Sequence, residues 1–521
     1  MLAHWLVNRL LYSLCALLLS ASAFAAKPGD AAKDAKHRAA QTEFFRGPIV
    51  SIAFEVKDED VEALRKNPRS YVEGKMTVGE KTWKGVALKL KGADGSFKPV
   101  DQKPCFTLNF DKFKGAERFH GFKKMHLNNA SEDPSFLRQQ LCGEMVRAAG
   151  VPALRCTHAL VSLNGRDLGL YVFAEGYTPD LLAPFFADPT GDLFEGGFCK
   201  DIDAELTKDH GDAKDFRAIE QLLAACRTDD AAARWTKLRA ILDVERFATF
   251  LSLETLLGIA DGYDFFRNNY SLYQDPKTKL ISFIPHGMDQ PLSEVEAAVR
   301  RGPESMVGRA FTGCAEGQAL YRARVAELYE KLLKARDWPA QVGEAGAKVL
   351  AVVAKRDAGL AKELRGKQEE LREVVARRIA FVGKALGEMP EPLRFDKAGI
   401  ARLAKGWTTK QEGDAKLERV EKDLRVAAEG ECQASWRCPV VLEAGRYRFE
   451  AKVKTAGVSG AGAGLRISGK DPAGEWATAS GAKALSYEFD ADGEVVLVAE
   501  LRAAKGEAAF ALESLRLVRV R

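Results

Sequence analysis

Apolar residues along this chain change their spacing twice, from two to about 3.6 and back to two, so the fold must join strand-rich and helix-rich parts rather than repeat one element. Strand-like runs at 49–54, 84–91, 105–110 and 124–127 are separated by Gly, Asp and Lys turns. Asp133 or Ser135 caps a predicted helix ending at Ala149, with Leu137, Leu141, Met145 and Val146 on one face and Gly150 as its stop. Two more strands, 159–163 and 169–174, meet at Asn164-Gly165, a dipeptide suited to a tight hairpin. Beyond Pro179 the pattern is helical for most of the way to Gly387, apart from one hairpin around 267–285. From about Leu393 short alternating strands return, at 447–454, 464–468 and 495–502, with Gly-rich turns between them. The expected fold class is α+β, closing with an all-β sandwich of jelly-roll character over 391–521. At 521 residues the chain also exceeds one ordinary core and must divide into domains.

Ahead of these elements, Arg9, an apolar run from Leu10 to Leu19, and Ala23 and Ala25 around Phe24 make the three parts of a secretory signal peptide over 1–25. A retained anchor would use the same run, which falls short of the roughly 20 residues a spanning helix needs. No later stretch is apolar for long enough, so the expectation is an exported chain, periplasmic, extracellular or at the cell surface, with no transmembrane segment after processing. Residues 26–46, rich in Ala, Lys and Asp without apolar period, read as a disordered leader. Lys and Arg number 78 against 73 Asp and Glu, a balance that gives no support to nucleic-acid binding. Of nine cysteines, eight follow the signal peptide, and an even number in an exported chain permits disulfides. Cys432 and Cys438, with five residues between them, are expected to bridge one hairpin. No CxxC pair is present, which argues against a zinc site.

The most informative segment runs from Ile259 to Asp289. Its strand-like parts, 269–274 and 280–285, flank Asp275-Pro-Lys-Thr-Lys279, which is turn chemistry. If the strands fold back antiparallel, Asp261, Asn268, Asn269 and Asp289 share one end of the hairpin. Carboxylates and carboxamides together make a hard, oxygen-rich site suited to magnesium. Protein kinases use the same order, a catalytic Asp, a metal-binding Asn, a hairpin and a second metal-binding Asp. Turns would use Asp261-Gly262 and Asp275-Pro276 equally well. Earlier in the chain, Lys91-Gly-Ala-Asp-Gly-Ser-Phe-Lys98 lies between two strands, where exposed amides can cover phosphates. Lys91 and Lys103 are candidates to contact phosphate, and Glu144 to hold such a lysine; solvated positions are the commoner fate of all three. The run Gly169 to Tyr177, with Glu175, reads as a strand entering a hinge.

These blocks resemble the CotH family of secreted, spore-coat-associated kinase-like proteins. The resemblance lies in Lys89-Leu-Lys-Gly-Ala-Asp-Gly-Ser-Phe, Lys103-Pro-Cys-Phe-Thr-Leu-Asn-Phe, Leu127-Asn-Asn with Asp133-Pro-Ser-Phe-Leu-Arg138, Leu163-Asn-Gly with Gly169-Leu-Tyr and Glu175, Asp261-Gly-Tyr with Asn268-Asn-Tyr, and Ile284-Pro-His-Gly-Met-Asp-Gln290. It implies an atypical, two-lobed protein-kinase-like domain over 47–390, with a small lobe at about 47–176 and a large lobe at about 177–390. It also implies ATP and Mg2+ as cofactors and a protein Ser or Thr hydroxyl as acceptor. Residue by residue, Asp261 matches the catalytic-loop acid, Asp289 the metal-binding acid, and Asn268 or Asn269 the second metal ligand; Lys91, Lys103, Glu144 and Glu175 are carried as cofactor-binding candidates. Many members have Ile-Pro-Trp-Asp-Leu-Asp where this chain has His286-Gly287-Met288-Asp289, and Ala260 stands where ordinary kinases have a histidine. A non-catalytic surface or assembly protein on this scaffold, or a transferase making another ATP-dependent modification, is the alternative function. In the sandwich, Trp407, Trp436 and Trp476 would stack on carbohydrate, unless they serve the core.

Overall fold

Asn164 and Gly165 take φ of 49° and 79°, the left-handed pair a two-residue hairpin requires, and this turn sets the register of the first part of the chain. The computed structural model describes residues 28–93, 95–113, 117–211, 215–299, 302–387, 393–470 and 475–520, so the signal-peptide reading of 1–25 lies outside the described residues. Two compact units result: 1–190 with 286–290 and 338–373, and 191–285 with 291–337 and 374–521.

In the first unit, strands β1 (Val50–Val56), β2 (Val72–Val78), β3 (Lys81–Lys91), β4 (Cys105–Asn109), β5 (Lys124–Asn128), β6 (Cys156–Leu163) and β7 (Arg166–Glu175) form a closed barrel in the order β1-β2-β3-β4-β5-β7-β6. Closure comes from parallel pairing of β1 with β6, Val50 opposite Ala159. Asn164 also clasps the seam, since its carboxamide exchanges two hydrogen bonds, 2.8 and 2.7 Å, with the main chain of Val56. Alternate side chains fill the interior, among them Ile52, Phe54, Leu88, Phe106, Leu127 and Phe173.

The reach expected to be a disordered leader is instead helix α1 (Pro28–Arg46). Its last turns carry Phe44 onto Phe119 and Phe173, at ring distances of 5.0 and 5.7 Å, against one end of the barrel. The predicted helix ending near Ala149 is α2 (Arg138–Ala148), which begins later than the capping residues suggested. Asp133 Oδ2 still accepts the Arg138 N–H at 2.8 Å, with Phe136 at φ 61° turning the chain between them.

In the second unit, the expected hairpin forms from β10 (Tyr270–Gln274) and β11 (Ile281–Pro285), and a four-stranded antiparallel sheet of order β11-β10-β8-β9 includes β8 (Asp192–Glu195) and β9 (Thr207–His210). Asp275 builds the turn, accepting N–H bonds from Lys277 and Thr278 at 2.7 and 3.1 Å. Helix α3 (Val244–Leu257) lays Phe247 and Phe250 on Phe283, with ring distances of 4.9 and 5.4 Å, and Gly258 ends it at φ 59°. Arg378, on helix Ala358–Gly387, is 1% exposed and donates to the carbonyls of Thr255, Leu256, Val295 and Ala297 at 2.6 to 3.0 Å.

The C-terminal part of this unit is sheet-rich, with β12 (Asp423–Ser459) and β13 (Gly481–Ala503) as its longest strands and Leu424, Phe449, Leu501 and Phe510 among its core residues. The expected Cys432–Cys438 bridge does not form, and every cysteine among the described residues is a free thiol. Both residues lie on the same run of β12, facing Ala503 and Leu497 across an unbroken register. Six residues of strand separate their Cα atoms by roughly 20 Å, whereas a disulfide needs about 4.4–6.8 Å. Among the described residues, no helix is long and apolar enough to cross a membrane.

Candidate functional site

Gly258 frees the chain from α3, and the next turns are shaped by one buried carboxylate. Glu254, 6% exposed, accepts the N–H groups of Tyr263 and Asp264 at 2.8 and 2.9 Å and so fixes the short helical turn Tyr263–Phe266. The Tyr263 ring packs on Tyr270 and Phe283, 4.5 and 4.8 Å away, and its hydroxyl donates to Asp201 at 2.7 Å. Asp264 accepts from the Ser305 hydroxyl at 2.9 Å. Arg267 and Asn269, both at φ 52°, then turn the chain into β10.

This frame brings three of the predicted residues together. Asn268 Nδ2 donates to Asp261 Oδ1 at 3.0 Å, and Asn269 Nδ2 donates to Asp261 Oδ2 at 2.7 Å and to the Asp261 carbonyl at 2.9 Å. Each carboxylate oxygen is thereby held by a carboxamide N–H, and carboxylate and carboxamide oxygens are the hard donors that magnesium takes. The ribbon ends at the Tyr270–Pro285 pair.

Burial pushes the Glu254 carboxyl up to about 8, the neighbouring Asp264 charge adding to the effect. Against an unfolded value near 4.3, folding retains a proton, so stability is present at low pH and is lost as pH rises from about 4.3 to about 8. We expect Glu254→Gln to remove a slope of up to about 1.4 kcal/mol per pH unit in that window. Parallel melts of both proteins from pH 4 to 9 check it, and coincident slopes refute it.

In the first unit, strand register puts Lys91 of β3 opposite Cys105 of β4, on the outer barrel face. Lys91 Nζ donates to Asn128 Oδ1 at 2.8 Å, and Asn128 Nδ2 donates to Gln139 Oε1 of α2 at 2.7 Å. Burial pushes the Lys91 ammonium down, while the nearby Cys105 and Asp289 act to raise it. Burial together with Lys91, Lys124 and Lys89 keeps His126 neutral, far below its usual range. The turn after β3, with Gly92 at φ 107° and Gly95 at φ 87°, is pinned by Asn129, whose amide donates to the Ser96 and Lys103 carbonyls at 3.0 and 2.8 Å. Asp289 therefore falls beside Lys91 in this unit, and Asp261, Asn268 and Asn269 fall in the other.

The remaining candidates have other neighbours. Lys103 lies over the rings of Phe136 and Tyr171, at 4.8 and 5.2 Å, and burial pushes it down to about 8. Glu144 accepts from Gln140 at 3.1 Å on its own helix. Glu175, 3% exposed, is chelated by Arg155. Asn128 and Gln139, which hold Lys91, were not singled out from the sequence; the signal for Asn128 lay in Leu127-Asn-Asn, and none marked Gln139. Of the tryptophans, Trp407 and Trp436 donate their indole N–H to the Leu403 and Arg425 carbonyls, while half-buried Trp476 lies under Arg502. Among the described residues no three His, Cys, Asp or Glu side chains gather as metal ligands.

Comparison with known proteins gives a consistent family. A model of the CotH kinase protein family matches residues 88–359, more than half of the chain. Invasin CotH2 of Rhizopus delemar is 27% identical over 255 residues, 44% of this chain and 42% of that protein. Inner spore coat protein H of Bacillus subtilis is 25% identical over 206 residues, 36% of this chain and 54% of that protein. The chain thus spans about half the length of the curated relatives it matches. Among solved structures, the Helicobacter pylori proinflammatory kinase CtkA aligns with 60% of this chain and 90% of its own at 9% identity, with a TM-score of 0.25.

Proposed function

The chain belongs to the CotH kinase protein family, and from that premise we propose that it is an exported, kinase-like transferase that phosphorylates protein Ser or Thr with ATP and magnesium. The observation that carries this reading is the fixing of both Asp261 carboxylate oxygens by Asn268 and Asn269. A carboxylate so oriented accepts the hydrogen of an acceptor hydroxyl and aims its oxygen. Asn268 and Asn269, through their carboxamide oxygens, and separately Asp289 in the other unit are the residues we assign to magnesium, which when bound would neutralise phosphate charge. Lys91, held by Asn128, which in turn donates to Gln139, is assigned to phosphate, as are the backbone amides of Gly92 and Gly95 that follow it. Lys103 stays a second candidate for phosphate, while Glu144 and Glu175 are engaged by Gln140 and Arg155. The apolar run and Ala-Phe-Ala site favour export, as do relatives named as an invasin and a spore coat protein. We read the C-terminal region as a β-sandwich accessory module, with Trp476 as its sugar-stacking candidate.

A second reading, a non-catalytic surface or assembly protein, is favoured by His286-Gly287 where many members carry Trp-Asp. One experiment separates the two. Purified protein with labelled ATP and magnesium is expected to transfer phosphate to itself or to a protein acceptor, and Asp289→Ala to abolish transfer. Intact mass identifies the adduct. Unmodified wild-type protein and acceptor support the scaffold reading, a nucleotide adduct supports a different transferase, and equal phosphate on both proteins removes Asp289 from the site.

A further inference from the structure

We propose that helix α1 is a positioning element for the nucleotide: through Gln41 and His37 it fixes the linker at 175–180, and with it Tyr177. This rests on the nucleotide reading above. Gln41 is 1% exposed in a helix whose other described polar residues are solvated or half-buried. Both ends of its carboxamide are used: Nε2 donates to the Gly121 carbonyl at 3.1 Å and Oε1 accepts from Arg155 Nη2 at 3.1 Å. The Arg155 guanidinium sits over the rings of Phe45 and Phe122, at 5.0 and 5.7 Å. It donates to both Glu175 oxygens at 2.7 to 3.1 Å, and its own main-chain N–H adds a bond of 2.7 Å. Glu175 is therefore committed to Arg155, and a residue of α1 completes the chelate.

A second contact lies four residues earlier. The His37 carbonyl presses on Gly121, where an added Cβ would stand 2.7 Å away. Arg118 and Asp180 act on the His37 imidazole in opposite senses, and Asp180 is the second residue of the short helix Pro179–Leu182 that ends the linker. His37 Nε2, Arg118 Nη1 and Asp180 Oδ2 are each buried without a protein hydrogen-bond partner, a polar cost at each of the three.

Between the two contacts the linker has little room. Gly176 donates its N–H to the Lys124 carbonyl at 2.9 Å, and an added Cβ there would stand 2.7 Å from the Lys124 side chain. The Tyr177 ring lies 5.7 Å from that of His286, three residues before Asp289, and 6.5 Å from that of His126, whose neutrality Lys91 helps to enforce. An α1 that shifts moves Arg155 and with it Glu175, two residues before Tyr177.

The test is a His37→Ala, Gln41→Met double variant of the full mature chain, with two readouts. Magnesium-dependent binding of a fluorescent ATP analogue is expected to weaken about tenfold, raising KM for ATP and leaving kcat at saturating ATP within twofold. Hydrogen exchange of the amides at 176–182 is expected to accelerate at least tenfold while the barrel melt is unchanged, an outcome that a merely structural role for α1 would not give. Wild-type exchange rates and affinity in a folded variant overturn the proposal. Should the double variant not fold, Gln41→Met alone decides by the same two readouts. If the wild type binds no nucleotide, the kinase reading fails, and exchange at 176–182 still decides whether α1 holds the linker.

Discussion

Asp261→Asn is expected to lower turnover on a protein acceptor by on the order of 100- to 10,000-fold, the range for loss of a positioned acid or base. The fold should hardly notice. In the wild type the carboxylate accepts one amide hydrogen on each oxygen, and the Asp261 main-chain carbonyl accepts a bond from Asn269 that the substitution leaves in place. The variant keeps one side-chain acceptor and presents an NH2 group to the other donor, so it forfeits roughly one charge-assisted hydrogen bond, about 1.5–3 kcal/mol at most. Nucleotide affinity is expected to stay within a few fold, because Lys91 and Asp289 are untouched. Single-turnover phosphorylation at saturating ATP, paired with a denaturant titration, checks both halves. Turnover close to wild type in a folded variant removes Asp261 from the chemistry.

The largest effect on stability is expected from Arg378→Met. A buried guanidinium without a carboxylate partner among the described residues is unusual, and its neighbours explain it. Thr255 and Leu256 belong to the last turn of α3, whose carbonyls are the negative end of the helix dipole, and Val295 and Ala297 belong to the chain that follows the hairpin. Burial lowers the Arg378 pKa to about 10, which leaves it charged at neutral pH. Methionine matches much of the volume but donates nothing, and four carbonyls lose the Arg378 bond, Thr255 keeping one from the Gly258 N–H at 3.3 Å. At about 1–3 kcal/mol for each group left buried and unsatisfied, partly offset by relaxation, the loss should exceed about 3 kcal/mol. Chemical denaturation measures it. Arg378→Lys should recover only part, since one ammonium cannot reach four acceptors laid out for a planar fork. A loss under 1 kcal/mol would mean that the carbonyls find other donors.

Local chemistry was legible in this chain, and long-range register was not. Asn164-Gly165 and Asp275-Pro276 announce their hairpins because few residues accept those turn geometries, and both lie within a residue of where they were expected. The Asp261 cluster was readable for the same reason, since its members are at most eight residues apart. Helix α1 was misread because its docking uses Gln41, Phe44 and Phe45 in a segment that otherwise shows no apolar stripe. Gln139 escaped because its bond to Asn128 depends on how α2 meets β5, which no spacing encodes. Cys432 and Cys438 misled because a six-residue interval suits a hairpin and one long strand equally, and only partners far along the chain decide between them.

Joining β1 to β6 gives the first unit a deadline. Val50 must find Ala159, roughly a hundred residues later in the chain, before the ring can shut. A polypeptide threaded N-terminus first through an export channel would therefore display β1 with one flank bare until that later strand arrives, an invitation to mispairing with any other extended segment. Asn164, gripping Val56 as soon as the β6–β7 turn forms, is placed to end that exposed interval.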